Sequence, residues 1–179
     1  MGKIVLVTGG ARSGKSTYAE KLARECNEGQ VTYVATAQVF DEEMKDRVKS
    51  HRERRPESWT TIEAPFDLEN SLKDQVDKSQ VILIDCVTVY ISNKLMKYWD
   101  EWDKEHEEKI LKEIEKLGQA FKKGDADVIF VSNEVGFGLV PENKMGRIFR
   151  DMAGRVNQVI AEYSDEVYLV VAGIPKRFK

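Results

Sequence analysis

Three groups of residues have types and spacings that could do chemistry. The first is "GGARSGKST" at 9–17, in which Gly9, four residues, Gly14, Lys15 and Ser16 match the pattern G-x-x-x-x-G-K-[ST]. Glycines there let backbone N–H groups close around phosphate oxygens, and the N-terminus of a following helix adds a favourable dipole. Lys15 can reach the β- and γ-phosphates of a nucleoside triphosphate, and the Ser16 hydroxyl suits Mg²⁺. The bland alternative is a glycine-rich turn that binds nothing. The apolar run before the motif and the helical pattern after it argue against that turn. The second group is Asp85, which closes "VILID". Four apolar residues followed by a carboxylate is the form of the acid that holds Mg²⁺, directly or through water, beside such a loop. The third is "KSHRERRP" at 49–56, where one of two histidines sits in a run of lysine and arginine.

Such a basic run is ordinarily a solvated helix face. Helical phasing qualifies that reading. The stretch "FDEEMKDRVKSHRERRP" at 40–56 predicts a helix over 41–55, with Asp41 as N-cap, Glu42 and Glu43 in the first turn, and Pro56 as the stop. At about 100° per residue, Met44, Val48, His51 and Arg55 share one face. His51 therefore lies with the helix's only apolar residues and is expected to point towards the protein body. Arg47 and Arg54 flank that stripe on one side and Arg52 on the other. Neutral imidazole is a good nucleophile towards phosphorus, and neighbouring guanidinium groups disfavour its protonated form. The same arginines could neutralise triphosphate oxygens during attack. The helix C-terminus works the other way, so two readings stand: a nucleophile, or a half-buried histidine with a hydrogen-bond partner.

The elements that must position these groups are legible as alternating runs. "KIVLV" (3–7), "VTYVA" (31–35), "VILI" (81–84), "VIFVS" (128–132) and "VYLVV" (167–171) predict strands buried on both faces, as in a parallel sheet covered by helices. "WTTIE" (59–63) is a weaker sixth candidate. Helices are expected at roughly 15–25, 41–55, 67–76, 87–123 with a break near residue 100, and 142–163. Within the fourth, Ile110, Ile114, Leu117 and Phe121 follow the spacing of a core-facing stripe. The pattern predicts one α/β domain over 1–179. Hydrophobic residues make up 41% and charged residues 33%, which suits a soluble globular protein. A net charge of −3 and the lack of an aromatic–basic stripe argue against a nucleic-acid partner. Cys26 and Cys86 form neither a CxxC nor a Cys/His cluster, which argues against a disulfide framework or structural zinc. Apolar runs of five or six residues are too short for a membrane span, and the N-terminus lacks the length of a secretory signal. The expected location is cytoplasmic.

The sequence also resembles the bifunctional adenosylcobinamide kinase/adenosylcobinamide-phosphate guanylyltransferase family over nearly its full length. The blocks that carry the resemblance are "VTGGARSGKSTYAE", "YVATAQVFDEEMKDRVKSHRERRPESWTTIEAP", "DCVTVYISN", "VSNEVGFGLVPENKMGRIFRDMAGRVNQ" and "AGIP", in the family's order. The pairing of the phosphate loop with Arg47, His51, Arg55 and Pro56 in R-x₃-H-x₃-RP makes it specific. The resemblance implies two reactions. In one, the γ-phosphate of ATP or GTP passes to the hydroxyl of adenosylcobinamide. In the other, a histidine takes GMP from GTP with loss of pyrophosphate and passes it to adenosylcobinamide phosphate, giving adenosylcobinamide-GDP. The family's guanylylated histidine falls on His51. Its nucleotide contacts fall on Gly9, Gly10, Ala11, Arg12, Ser13, Gly14, Lys15 and Ser16, on Ala35, Thr36 and Ala37, on Arg52, Glu53, Arg54 and Arg55, and on Glu63 and Asp85. The resemblance further implies a P-loop α/β fold with RecA-like sheet order and a homo-oligomer, a trimer being one option. Phe137 stands where the family often has Trp, and "YWDEWDKEHEE" (98–108) matches no block of the family.

In "SNEVGFGLVPEN" a strand leads into a glycine-bearing loop before a helix that Glu142 or Asn143 begins. Glu134 could assist an acceptor hydroxyl as general base or simply cap the loop; both stay open. Arg147 and Arg150 are expected on the surface or at a subunit contact, and His106 is expected to be solvated. Two other functions compete with the bifunctional one: a small-molecule kinase with a different acceptor, and a RecA-like NTPase module that couples nucleotide state to a partner.

Overall fold

Runs rich in valine and isoleucine fit a pleated surface buried on both sides, and in the computed structural model of this chain they form the centre of one sheet. Residues 2–179 are described, apart from 28, 39–41, 43–48, 50, 51, 54, 74, 76 and 77. The strands are β1 (Ile4–Gly9), β2 (Val31–Ala35), β3 (Thr60–Glu63), β4 (Val81–Asp85), β5 (Asp127–Asn133), β6 (Glu166–Val171) and β7 (Ile174–Arg177). Their order is β3-β2-β4-β5-β1-β6-β7. All pairs are parallel except the last, β6 with β7. The register matters for the site. Gly9 lies opposite Asn133, and Ala35 lies between Asp85 and Glu63, so these residues share the C-terminal edge of the sheet. In open α/β sheets that edge is where ligands bind.

The helices are α1 (Lys15–Cys26), α2 (Leu68–Leu72), α3 (Val87–Lys97), α4 (Lys104–Lys123) and α5 (Lys144–Tyr163), with a 3₁₀ turn at Trp99–Glu101. The expected break near residue 100 is this turn. It ends where Asp103 caps α4 by accepting from the His106 N–H at 3.1 Å. Asn143, rather than Glu142, caps α5 through the Gly146 N–H. The predicted stripe of Ile110, Ile114, Leu117 and Phe121 is buried, and it packs with α3 and α5 on one face of the sheet. Burying those four side chains contributes on the order of 6–12 kcal/mol as an upper bound. The other face is covered by α1 through Ala19 and Ala23.

Several expectations are corrected. The segment expected as a helix over 67–76 is helical only to Leu72, and residues 73 and 75 are in turns. Strand β6 is only partly buried, and a hairpin carries the chain back along it as β7, a strand absent from the expectation. The hairpin turn is Ala172–Gly173, with φ of 50° and 79°. Positive φ at both central residues is the turn that suits strand twist, and glycine accepts it without strain. His106 is not solvated: its side chain is 21% exposed, its Nδ1 pairs with Asp103 at 2.8 Å, and its ring stacks on Trp102. The helix expected over 41–55 lies largely outside the described residues.

Candidate active site

The strand β1 ends at Gly9 and the helix α1 begins at Lys15, so the chain must turn within five residues. Arg12 (φ 57°) and Gly14 (φ 91°) make that turn. A side chain on Gly14 would meet Gly173 Cα at 3.1 Å, so only glycine lets the loop and the β6–β7 turn approach this closely. The Gly173 N–H donates to the Ser13 carbonyl at 2.8 Å, bracing the loop from outside. Inside it, Lys15 Nζ donates to the Gly10 carbonyl at 3.2 Å. Burial lowers the Lys15 ammonium from its ordinary range, while Cys86 and Asp85 push it back up. The Ser13 hydroxyl is buried with no hydrogen-bond partner among the described residues. An orphaned buried donor in a loop of this shape fits a phosphate oxygen.

Asp85 stands at the end of β4, with one strand between it and β1. Ser16 Oγ donates to its Oδ1 at 3.4 Å, and the Tyr33 hydroxyl donates to its Oδ2 at 3.1 Å. Burial, with help from Asp85, pushes the Tyr33 phenol well above its ordinary range, so it stays a proton donor. The Arg55 guanidinium lies 3.8 Å from the centre of the same ring, and its Nη1 donates to Thr61 Oγ1 at 3.3 Å. A line of contacts thus runs from Arg55 through Tyr33 and Asp85 to Ser16 at the head of α1. Sequence reasoning missed Tyr33, because its partners come from distant strands and its own neighbourhood reads as plain β-strand.

The Asp85–Cys86 peptide is cis. Thr36 is fully buried, and its hydroxyl both donates to the Cys86 carbonyl and accepts from the Cys86 N–H, each at 2.8 Å. A nucleotide would therefore meet the backbone of the 35–37 segment, since the hydroxyl is committed. Burial pushes the Cys86 thiol up to about 11, which removes it as a nucleophile at neutral pH. Thr88, in the first turn of α3, accepts from both the backbone N–H (3.2 Å) and Nδ2 (2.8 Å) of Asn133. Asn157 donates to the Asn133 carbonyl at 3.2 Å and accepts from Ser132. This network ties the end of β5 to α3 and α5, and it too was invisible in the sequence.

The structure brings together Gly9, Gly10, Ala11, Arg12, Ser13, Gly14, Lys15, Ser16, Ala35, Thr36, Ala37, Glu63, Asp85 and Arg55 at one end of the sheet. Arg52 and Glu53 are exposed. His51 and Arg54 lie outside the described residues. No helix among the described residues is long and apolar enough to cross a membrane.

The phosphate loop, its acid one strand away and the order of the sheet define a P-loop nucleotide-binding fold with RecA-like strand arrangement. A solved ATPase domain shares that fold, with a TM-score of 0.50 at 13% identity over 93% of this chain and 68% of its own. Residues 5–178 match the family described as cobinamide kinase / cobinamide phosphate guanyltransferase, and the chain belongs to that family. It is 44% identical over 182 residues to the bifunctional adenosylcobalamin biosynthesis protein CobU of Escherichia coli (strain K12), covering 98% of this chain and 99% of the relative. It is 38% identical over 174 residues to the bifunctional adenosylcobalamin biosynthesis protein CobP of Pseudomonas aeruginosa, covering 97% and 96%.

Proposed function

We propose that this chain phosphorylates adenosylcobinamide with ATP or GTP and then transfers GMP from GTP to the product through His51. The observation that carries this reading is the match of residues 5–178 to the family, with the phosphate loop and Asp85 intact in this chain. In the first reaction the acceptor hydroxyl attacks the γ-phosphorus, and the bond to the bridging oxygen breaks. Lys15 and the loop N–H groups hold the phosphate oxygens in line. Ser16 and Asp85 present hard oxygen atoms 3.4 Å apart, a donor set that fits Mg²⁺. Mg²⁺ bound there would neutralise phosphate charge, and Tyr33 would keep the Asp85 carboxylate oriented.

In the second reaction a ring nitrogen of His51 attacks the α-phosphorus of GTP, pyrophosphate leaves, and a phosphoramidate forms. A phosphate oxygen of adenosylcobinamide phosphate then attacks the same phosphorus, and the P–N bond breaks. Covalent catalysis of this kind replaces one difficult displacement with two easier ones. Support comes from Arg55, which is fixed over Tyr33 beside Asp85. His51 is tethered four residues before it, no more than about 14 Å along the chain. The guanidinium groups of Arg52, Arg54 and Arg55 suit charge stabilisation at the phosphorus.

The reading carries with it a cytoplasmic location and a homo-oligomer, which cell fractionation and sedimentation would check. The test of function is direct. Purified protein given adenosylcobinamide, GTP and Mg²⁺ should yield adenosylcobinamide phosphate, then adenosylcobinamide-GDP and pyrophosphate. Turnover that stops at the phosphate would leave a kinase alone, and no turnover of adenosylcobinamide would overturn the reading.

A further inference from the structure

The kinase step needs a group to receive the acceptor's proton, and none of Lys15, Ser16 or Asp85 suits that task beside a metal and a triphosphate. Two other carboxylates share this edge of the sheet: Glu63 ends the outermost strand β3, whereas Glu134 lies one residue past the end of β5, the neighbour of β1. Its N–H donates to the Gly9 carbonyl at 3.0 Å, so it borders the first glycine of the phosphate loop. The preceding residue, Asn133, is held at its N–H, side chain and carbonyl by Thr88 and Asn157, which fixes where Glu134 emerges. Glu134 Oε1 accepts from the Gly136 N–H at 2.8 Å, and Oε2 has no hydrogen-bond partner among the described residues. The carboxylate is therefore oriented by one oxygen and open at the other.

The loop that follows is unusual in composition. Phe137, Leu139 and Val140 are 83%, 96% and 62% exposed. Arg147 donates to the carbonyls of Pro141 and Glu142, closing the far end of the loop onto α5. Three neighbouring apolar side chains in water call for an occupant. By themselves they fall short of a stable subunit interface, which needs roughly 800 Å² from each partner, and the other exposed apolar side chains near the phosphate loop, Val171, Ile174 and Phe178, belong to the separate β6–β7 hairpin and the tail after it. Phe137, Leu139 and Val140 are the right scale for one side of a large small-molecule substrate, and they adjoin the carboxylate described above.

We propose that the 134–141 loop is the acceptor site of the kinase reaction, a role that rests on the function proposed above. Glu134 Oε2 accepts the proton of the acceptor hydroxyl as its oxygen bonds to the γ-phosphorus and the nucleoside diphosphate departs; the proton then passes to water. Phe137, Leu139 and Val140 lie against the apolar body of the corrinoid. Glu134 is thus a catalytic residue, and the Gly136 contact sets its aim.

The experiment compares unaltered protein with Glu134→Gln, Glu134→Asp and the double variant Phe137→Ser/Leu139→Ser in phosphoryl transfer from ATP to adenosylcobinamide. Glutamine keeps the acceptor for the Gly136 N–H but cannot take a proton. Glu134→Gln should therefore lose about 10²–10⁴-fold in kcat, with KM for adenosylcobinamide within about threefold and nucleotide affinity and thermal midpoint preserved. Glu134→Asp should recover part of the rate. The double variant should raise KM about tenfold or more with kcat little changed. A Glu134→Gln enzyme with near-full kcat would leave Glu134 as a loop cap and overturn the catalytic role. An unchanged KM in the double variant, or a changed oligomeric state, would overturn the acceptor seat in favour of a subunit contact. No turnover by the unaltered protein would overturn the function itself, which is a distinct result.

Discussion

Thr88 is 1% exposed and its hydroxyl joins α3 to the backbone and side chain of Asn133, so replacing it by valine isolates a polar term at constant shape. In Thr88→Val two donors, the Asn133 N–H and one Nδ2–H, lose their acceptor. Asn133 is half-buried, so each donor left unpaired falls in the lower part of the range of about 1–3 kcal/mol for a buried group. Allowing the strand end to relax, the expected loss is about 2–4 kcal/mol of folding stability. For a chain of this size that corresponds to a fall in melting temperature of roughly 4–16 °C. Thr88→Ser keeps the hydroxyl and gives up one methyl group, about 1 kcal/mol. Urea unfolding of both variants at neutral pH, with m-values compared to confirm a common transition, measures the difference. Because the network fixes the base of Glu134, Thr88→Val should also slow phosphoryl transfer to adenosylcobinamide. If valine proves as stable as threonine, or serine as damaging as valine, the hydrogen-bond reasoning fails.

Three other perturbations probe separate parts of the fold and site. Gly118→Ala should destabilise by about 1–2 kcal/mol even though alanine is the better helix former, because the new Cβ would meet the Tyr163 ring at 2.5 Å; adding Tyr163→Leu should relieve most of the loss in a double-mutant cycle. Tyr33→Phe keeps the ring beneath Arg55 but removes the donor to Asp85, so the kinase rate at limiting Mg²⁺ should fall about tenfold while the melting temperature changes little. Asp165 supplies a pH test. Burial alone would raise its carboxyl, but the Ile4 N–H and Lys122 outweigh that and hold it below the usual carboxylate range. A depressed folded value means its contribution is present above the unfolded value near about pH 4 and is lost as pH falls through the folded one. The stability gap between the unaltered protein and Asp165→Asn should therefore be open at pH 7 and narrow in urea titrations below about pH 4.

The parts of this fold that were legible from sequence are those whose causes are local. Five β-branched runs announced the parallel core, the 110–121 stripe announced a covering helix, and the spacing Gly9–Ser16 announced the phosphate loop. Strand β7 escaped because "IPKR" is fully exposed, short and polar at its end, so no burial pattern marks it; the Ala172–Gly173 turn was its one signal, and only the glycine is typical of such a turn. His106 reads as solvated among acidic neighbours, yet Trp102 and Asp103 on the adjoining turn give it a ring to stack on and a carboxylate to pair with. Tyr33 with Asp85, and Thr88 with Asn133, join residues 52 and 45 positions apart, and no periodicity encodes such pairs. The strand–loop–helix that carries the proposed site could be read in advance, whereas the contacts that hold its acid and its loop in place required the tertiary fold.

The central claim is that GMP passes through His51. Incubating the protein with α-labelled GTP and Mg²⁺ in the absence of corrinoid, followed by peptide mapping, tests it most directly. Acid-labile, base-stable label is expected on the peptide that contains His51, with release of that label as adenosylcobinamide-GDP when adenosylcobinamide phosphate is added, and no label in His51→Ala. Label that survives His51→Ala, or product formation by that variant at the normal rate, would contradict it.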